Sequence, residues 1–380
     1  MNIAINASYL EGNRTGVGRY LSNILKHWSH TSPDNKYYLY FKREIPKDEY
    51  LNSPCFIKKV INAPEFLNRW IFWENIFLAK EISNNKELDI FFSPAYTLPF
   101  FIGRVKKVVA IFDIYYTAHP EWISLQNRFT WGLISKSSSR RADIILTASN
   151  FDKNDIVKYY NTPEDKVKVI YLAAEEKFKK INNSVNNKNI LSKYGIKNKY
   201  VLCVGLVINR RVQDIIIRAF SRLNKEYKDV SLVVVGQNKS YPYMDIEKEI
   251  KNCQMEEYIK WIPYLPESEI SSFYSNAAAF IYLSLYEGES IPLREAMAAG
   301  IPVITSSILD EVVGDAGYIV KNPKDEEEIK IAMKNVLSDD NLRNQMIQKG
   351  KKRTDMFSWE KCAQETMGIL KDINEDINNK

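Results

Sequence analysis

Short apolar, β-branched runs alternate with longer amphipathic stretches along most of this chain. MNIAINA is followed by GVGRYLSNILKHW, KKVVAIFDI by a helical stretch, and ADIILTAS by NFDKNDIVKYY. Runs that are apolar on both faces read as strands inside a parallel sheet, and the amphipathic stretches between them as helices that cover it. The rhythm restarts at YVLCVG, continues through SLVVVG and AAAFIYLS, and reaches IPVITS. The pattern predicts two doubly wound α/β domains. Between them the polar, Asn-rich KKINNSVNNKNILSKYG marks a linker near residues 178–192, which sets the domains at 1–180 and 181–358. A last amphipathic pattern, Trp359 to Ile373, follows Ser358, a fitting N-cap, so residues 359–380 are expected to form a C-terminal helix that packs back across the linker.

Composition agrees with a folded chain. Of 380 residues, 45% are apolar and 26% charged, with only 14 glycines and 14 prolines, which excludes disordered and fibrous classes. The cysteines Cys55, Cys203, Cys253 and Cys362 form no CxxC pair or Cys/His cluster, so they read as cytosolic thiols rather than a disulfide framework or zinc site. The start, MNIAINASYL, lacks a basic segment ahead of a long apolar one, and no apolar run nears the ~20 residues of a membrane span, so a cytoplasmic protein is expected. Charge refines this picture. Residues 1–180 hold 26 Lys and Arg against 19 Asp and Glu, whereas the remainder holds 27 against 28. A basic first half suits an anionic partner, either an acidic bilayer surface or a phosphorylated acceptor. The aromatic-rich FLNRWIFWENIFLAK, residues 66–80, reads either as an element touching such a membrane or as a buried helix carrying Trp70 and Trp73.

In open parallel sheets, ligands bind beyond the carboxyl ends of the strands, where helix N-termini offer free N–H groups. Three segments fit that position. In EGNRTGVGRY, Gly16 and Gly18 stand in a loop entering a helix, with Arg19 in its first turn; the spacing is not that of a GxGxxG dinucleotide site. In VLCVGLVINRRVQD the strand ends at Gly205 and Arg210 and Arg211 stand at the expected start of a helix, where cations oppose the macrodipole unless an anion offsets them. In YEGESIPLREAMAAGIPVI, Glu287 follows a strand, Pro292 opens a helix, and Glu295 lies in or near its first turn. Dipole compensation accounts for Glu295 alone but not for Glu287. Both carboxylates suit vicinal hydroxyls, and the arginines suit a diphosphate.

These residues resemble the E-x7-E signature of the retaining glycosyltransferases of family 4. Glu287 and Glu295 bracket seven residues ahead of EAMAAGIPVITS, while GLVINRR, TGVGRY, SPAYTLP, RRADIILTAS and SSILDEVVGDAG match further stretches. The likeness is greatest to bacterial mannosyl- and rhamnosyltransferases of surface polysaccharide assembly, such as the O-antigen. It implies a GT-B architecture, two Rossmann-like domains facing a central cleft, with acceptor binding in the first and nucleotide-sugar binding in the second. It further implies that Arg210 and Arg211 hold the donor diphosphate, with the backbone N–H groups of Ser290 and Ile291. Glu287 would face the sugar and Glu295 accept from the ribose, while Gly16, Val17, Gly18 and Arg19 line the acceptor side and Phe112 and Asp113 stand opposite the sugar. Arg211 and Val212 replace the family's usual Lys-Asn, Glu289 and Ser290 its Phe-Gly, and Phe112 its His. Glu289, close to a diphosphate, is compatible with binding if it points to solvent.

The expected partners are a nucleotide sugar and a glycan or lipid-linked saccharide, with peripheral membrane contact and no nucleic acid. No Asp-x-Asp occurs, so no metal or other cofactor is expected. Two rival readings are a non-catalytic glycosyltransferase-like binding subunit and a GT-B nucleotide-sugar epimerase.

Overall fold

A computed structural model describes residues 1–378 apart from 13, 15 and 181–184. Asn13 and Thr15 of the glycine segment, and the middle of the expected linker, lie outside the described residues. The chain divides into two units. The first comprises 1–118, 125–172 and 359–380; the second comprises 119–124 and 173–358.

The first unit holds β1 (Asn2–Asn6), β2 (Lys36–Phe41), β3 (Phe56–Val60), β4 (Ile90–Ser93), β5 (Lys106–Ala110), β6 (Ile144–Thr147) and β7 (Val167–Val169) in the order β3-β2-β1-β4-β5-β6-β7. Every pairing is parallel. The helix Gly16–Thr31 covers one face because Gly18, Leu21, Ile24, Leu25 and Trp28 recur at helical spacing and are all buried. The C-terminal helix Trp359–Asn378 belongs to this unit, where Trp28 Nε1 donates to the Ala363 carbonyl at 2.9 Å.

The second unit holds β8 (Lys199–Val204), β9 (Val230–Val235), β10 (Ile259–Ile262), β11 (Ala279–Tyr282), β12 (Val303–Ser306) and β13 (Gly317–Val320), all parallel, in the order β10-β9-β8-β11-β12-β13. An apolar core fills each face of this sheet: Val201, Phe220 and Ile281 lie in one, Leu202, Phe280 and Leu293 in the other. The expected pair of doubly wound parallel sheets is what the chain forms. In each sheet the winding reverses once, between β1 and β4 and between β8 and β11, and a reversal is where such sheets open a crevice at their strand ends.

The aromatic segment 66–80 is not one regular helix. Residues Trp70–Phe72 are α-helical, Trp73–Leu78 make a π turn, and α geometry resumes at Ala79. Trp73 is buried, with its indole N–H donating to the Ile61 carbonyl at 2.8 Å, while Trp70 is half-buried and stacks on Trp131.

Candidate functional site

The reversal in the second sheet brings the ends of β8 and β11 side by side. Leu285 N–H donates to the Arg210 carbonyl at 2.7 Å, tying the loop after β11 to the loop after β8. The β8 strand stops at Gly205, whose φ of +144° and surroundings both call for glycine. A Cβ there would stand 2.7 Å from Arg211 Nη1. The arginines do not begin a helix, as the sequence implied. They lie in a 3-10 turn, Asn209–Arg211, and Val212 at φ +48° separates them from the helix Gln213–Asn224. A left-handed β-branched residue costs roughly 1–3 kcal/mol, offset here by burial of the Val212 side chain in the core.

Glu287, only 6% exposed, is the hub. Arg211 grips it with two hydrogen bonds, Nη2 to Oε1 at 2.6 Å and Nε to Oε2 at 3.2 Å, and Arg210 Nη2 stands 3.8 Å from Oε1. Tyr282, the last residue of β11, donates its hydroxyl to Oε1 at 3.0 Å and lays its ring 4.9 Å from the Arg211 guanidinium. Burial alone would raise the Glu287 pKa, but the two guanidinium charges, Arg211 ahead of Arg210, outweigh it and hold the carboxyl below its ordinary range. Two cations on one carboxylate leave one net positive charge at the strand ends, suited to a further anion.

The helix Ile291–Ala298 follows, capped by the Ser290 hydroxyl, which accepts from Leu293 N–H at 3.3 Å, and carrying Pro292 in its opening turn. Glu289 does not point to solvent. Arg294 holds it through two 2.7 Å bonds, Nε to Oε1 and Nη2 to Oε2, and the Arg294 guanidinium lies 4.2 Å from the Phe357 ring centroid. The charge expected to trouble a diphosphate is therefore neutralised inside the protein. Glu289 Oε1 also accepts from Ser290 N–H at 2.8 Å, so that amide is engaged. Glu295 lies in the second turn, buried, where the Tyr274 hydroxyl donates to it at 3.0 Å. The structure thus brings together Gly205, Arg210, Arg211 and Glu287, with Ser290 and Ile291 at the adjoining helix start, and places Glu295 under Tyr274.

Residues 119–124 belong to this unit although they precede it in sequence. His119 stacks on Trp122 with centroids 4.2 Å apart, meets the Tyr286 ring edge-on at 4.8 Å, and sets Nδ1 3.0 Å from Glu121 Oε1. Sequence reasoning named none of these, nor Tyr282, Tyr274 or Arg294. The i+5 spacing of Glu289 and Arg294 is not a helical pairing distance, and Tyr282 reads as one more apolar strand residue.

In the first unit, Gly16, Val17, Gly18 and Arg19 all lie in the opening turn of the helix Gly16–Thr31, rather than with both glycines in the loop before it. Gly18 is needed for packing, since a Cβ would sit 2.5 Å from the Tyr9 carbonyl oxygen. Tyr20 touches Phe112 edge-on at 4.9 Å, linking this turn to the segment after β5, and the Asp113 carbonyl accepts from the Tyr116 hydroxyl at 3.3 Å.

Residues 186–353 match the family model described as glycosyl transferases group 1. The chain is 27% identical over 286 residues, 74% of each chain, to the O-antigen chain mannosyltransferase B of Escherichia coli. It is 29% identical over 233 residues to the O-antigen chain mannosyltransferase RfbU of Salmonella typhimurium, spanning 60% of either protein. Among solved structures, WaaG, a glycosyltransferase involved in lipopolysaccharide biosynthesis, superposes with a TM-score of 0.75 at 16% identity over 97% of this chain and 99% of its own. Anabaena HepE, solved with UDP and glucose, gives 0.78 at 16% identity over 98% and 100%. The architecture is that of the GT-B glycosyltransferases, as the sequence implied.

Proposed function

We propose, taking as premise that this chain is a glycosyltransferase whose residues 186–353 form a group 1 domain, that it moves a hexosyl unit from a nucleotide diphosphate sugar to a saccharide acceptor with retention of configuration. Mannose is the sugar favoured by the relatives named for mannosyl transfer, and a glycan or lipid-linked saccharide of surface polysaccharide assembly, on the cytoplasmic side, is the matching acceptor. The observation that carries this reading is the pair of arginines closed on Glu287 at the sheet reversal.

In such a transfer the bond from the anomeric carbon to the phosphate oxygen breaks, a bond to the acceptor oxygen forms, and the acceptor's proton passes to the departing phosphate. The largest demand is negative charge on the leaving diphosphate. Arg210 and Arg211 supply fixed cations for it, and Glu287 holds them in place while lending negative charge toward the developing oxocarbenium ion. Ser290 and Ile291 at the helix start flank the phosphates, and Glu295 serves the ribose once Tyr274 yields its hydrogen bond. Asp113, with Phe112 and the turn Gly16–Arg19, serves the acceptor. Because the arginines meet the charge on the leaving group, transfer should proceed in EDTA.

The test is thermal stabilisation by a panel of nucleotide diphosphate sugars, GDP-mannose among them, on the native chain and Arg210→Ala. A ligand at 100 times its dissociation constant adds about 2.7 kcal/mol to folding. A shift with one donor that Arg210→Ala abolishes supports the site; no shift with any donor overturns it.

A further inference from the structure

Residues 119–124, HPEWIS, interrupt the first unit, which breaks off at Ala118 and resumes at Leu125, and pack in the second. Pro120, with its fixed φ, opens a 3-10 turn, Pro120–Trp122, in which Trp122 N–H donates to the His119 carbonyl at 3.2 Å. Side chains three apart eclipse in such a turn, so the His119 ring lies on the Trp122 indole with the planes 17° apart. The Tyr286 ring meets the same imidazole at 65°.

Two aromatic contacts suffice to hold a ring by packing. The third constraint, Glu121 Oε1 at 3.0 Å from Nδ1, joins side chains that are 34% and 59% exposed, and a pair so open to water adds little to stability. What it does fix is the proton. A carboxylate only accepts, so Nδ1 carries the hydrogen and Nε2 is left for another partner. Among the described residues no group bonds Nε2. An imidazole set by two rings and a carboxylate, with one nitrogen to spare and access to solvent, is oriented for a ligand.

Its neighbour places it at the donor loop. Tyr286 immediately precedes Glu287, and its N–H donates to Ser284 Oγ at 3.3 Å, while that hydroxyl donates to the Arg210 carbonyl at 3.4 Å. One short loop therefore carries the contact with His119, the Glu287 hub and the tie to the arginine turn. The chemistry of the two parts differs. Arg210 and Arg211 are fixed cations, suited to phosphates; HPEWIS has no Lys or Arg, one acid, and a half-buried indole. Aromatic surface beside hydrogen-bond acceptors suits a neutral, hydroxyl-rich ring, and in a nucleotide sugar that ring is the hexose.

We propose, resting on the reading of this unit as the nucleotide-sugar site, that His119 is a specificity-determining residue for the transferred sugar. Its Nε2 bonds a hydroxyl of the hexose, and Glu121 is the positioning residue that sets the ring for it.

The experiment is isothermal titration of the full chain with GDP-mannose and with GDP, which lacks only the sugar, and with UDP-glucose and UDP alongside. His119→Ala should raise the dissociation constant of whichever sugar nucleotide the native chain binds by about five- to tenfold, the effect of one lost hydrogen bond, and leave that of its free diphosphate unchanged. His119→Gln, whose amide reaches the Nε2 position, should restore most of the affinity; His119→Asn, which reaches only Nδ1, should not. Glu121→Ala should weaken the sugar nucleotide by a smaller factor, again without effect on the diphosphate. A merely structural ring would move both constants or neither, so constants that rise together in His119→Ala, or stay where they are, overturn the proposal. So does His119→Asn binding as well as His119→Gln. Those results leave the donor reading standing where Arg210→Ala still abolishes diphosphate binding; a native chain that binds none of the four ligands overturns both.

Discussion

Two buried glutamates, one in each unit, have opposite chemistry. Glu287 in the second unit is 6% exposed and Glu74 in the first 2%. Glu287 meets a bidentate guanidinium, a second guanidinium and a phenol, and is held ionised. Glu74 sits in the π turn, accepts at Oε2 from the Thr97 hydroxyl at 2.8 Å, and leaves Oε1 without a hydrogen-bond partner. Burial pushes its pKa up to about 7, opposed only in part by the Thr97 hydrogen bond and the more distant Arg141 charge. Burial is the same in both places, so the protonation state is decided by whether a cation is in hydrogen-bond reach.

The largest way to break this contrast is to remove the cation. Arg211→Met removes the cation that grips Glu287 and leaves only Arg210 at 3.8 Å, and removing one partner of a buried pair costs about 3–5 kcal/mol. Chemical denaturation should show that loss at pH 7, a loss for Glu287→Gln as well, and for the double variant a loss smaller than the sum of the two, because the residues share one ion pair. The same coupling should appear in donor-induced stabilisation. Losses that simply add in the double variant would show that Glu287 is not held by Arg211.

A somewhat smaller effect concerns Glu74. Its folded pKa lies above its unfolded value, so its contribution is complete below about pH 4.5 and declines as pH rises toward and through about 7. The difference of about 2.5 units corresponds to roughly 3 kcal/mol lost by pH 8. Glu74→Gln, neutral at every pH, should match the native chain near pH 4.5 and exceed it at pH 8. Parallel stability curves for the two proteins between these limits would mean that the carboxyl ionises freely in the fold.

The smallest change tests the helix beside Glu287 without touching its charges. Ser290→Ala removes the hydroxyl that accepts from Leu293 N–H and should cost about 1 kcal/mol. Measured by the same denaturation, a loss near zero would show that the Pro292 start holds the helix without its cap.

The two carboxylates also differ in how readable they were. Glu287 follows a β-branched run, precedes a proline, and shares its unit with an Arg-Arg pair after another such run; strand endings are legible because apolar runs stop abruptly. That β8 and β11 are neighbours was not legible, since strand order depends on long-range pairing that no local pattern encodes. Glu74 was hidden more completely. In FLNRWIFWENIFLAK it occupies what looks like the polar side of an α-helix, but the π turn from Trp73 to Leu78 shifts the register and carries it inside. The Glu289–Arg294 pair escaped for a related reason: helical spacing rules do not apply to a residue ahead of the helix. The glycine segment misled in a milder way, with Gly16 and Gly18 already helical and Gly18 serving the approach to Tyr9.

The return of the C-terminal helix to the first unit orders events during synthesis. Trp28 is fully buried and its indole is satisfied by the carbonyl of Ala363, while Met367 and Leu370 are buried on the same helix. The second unit has its whole sheet in hand before Trp359 leaves the ribosome. The first unit, begun earlier, must wait with the tryptophan side of the helix Gly16–Thr31 bare until the second unit and the helix after it have been made. A nascent chain stalled in the second unit therefore presents that bare face to chaperones and proteases.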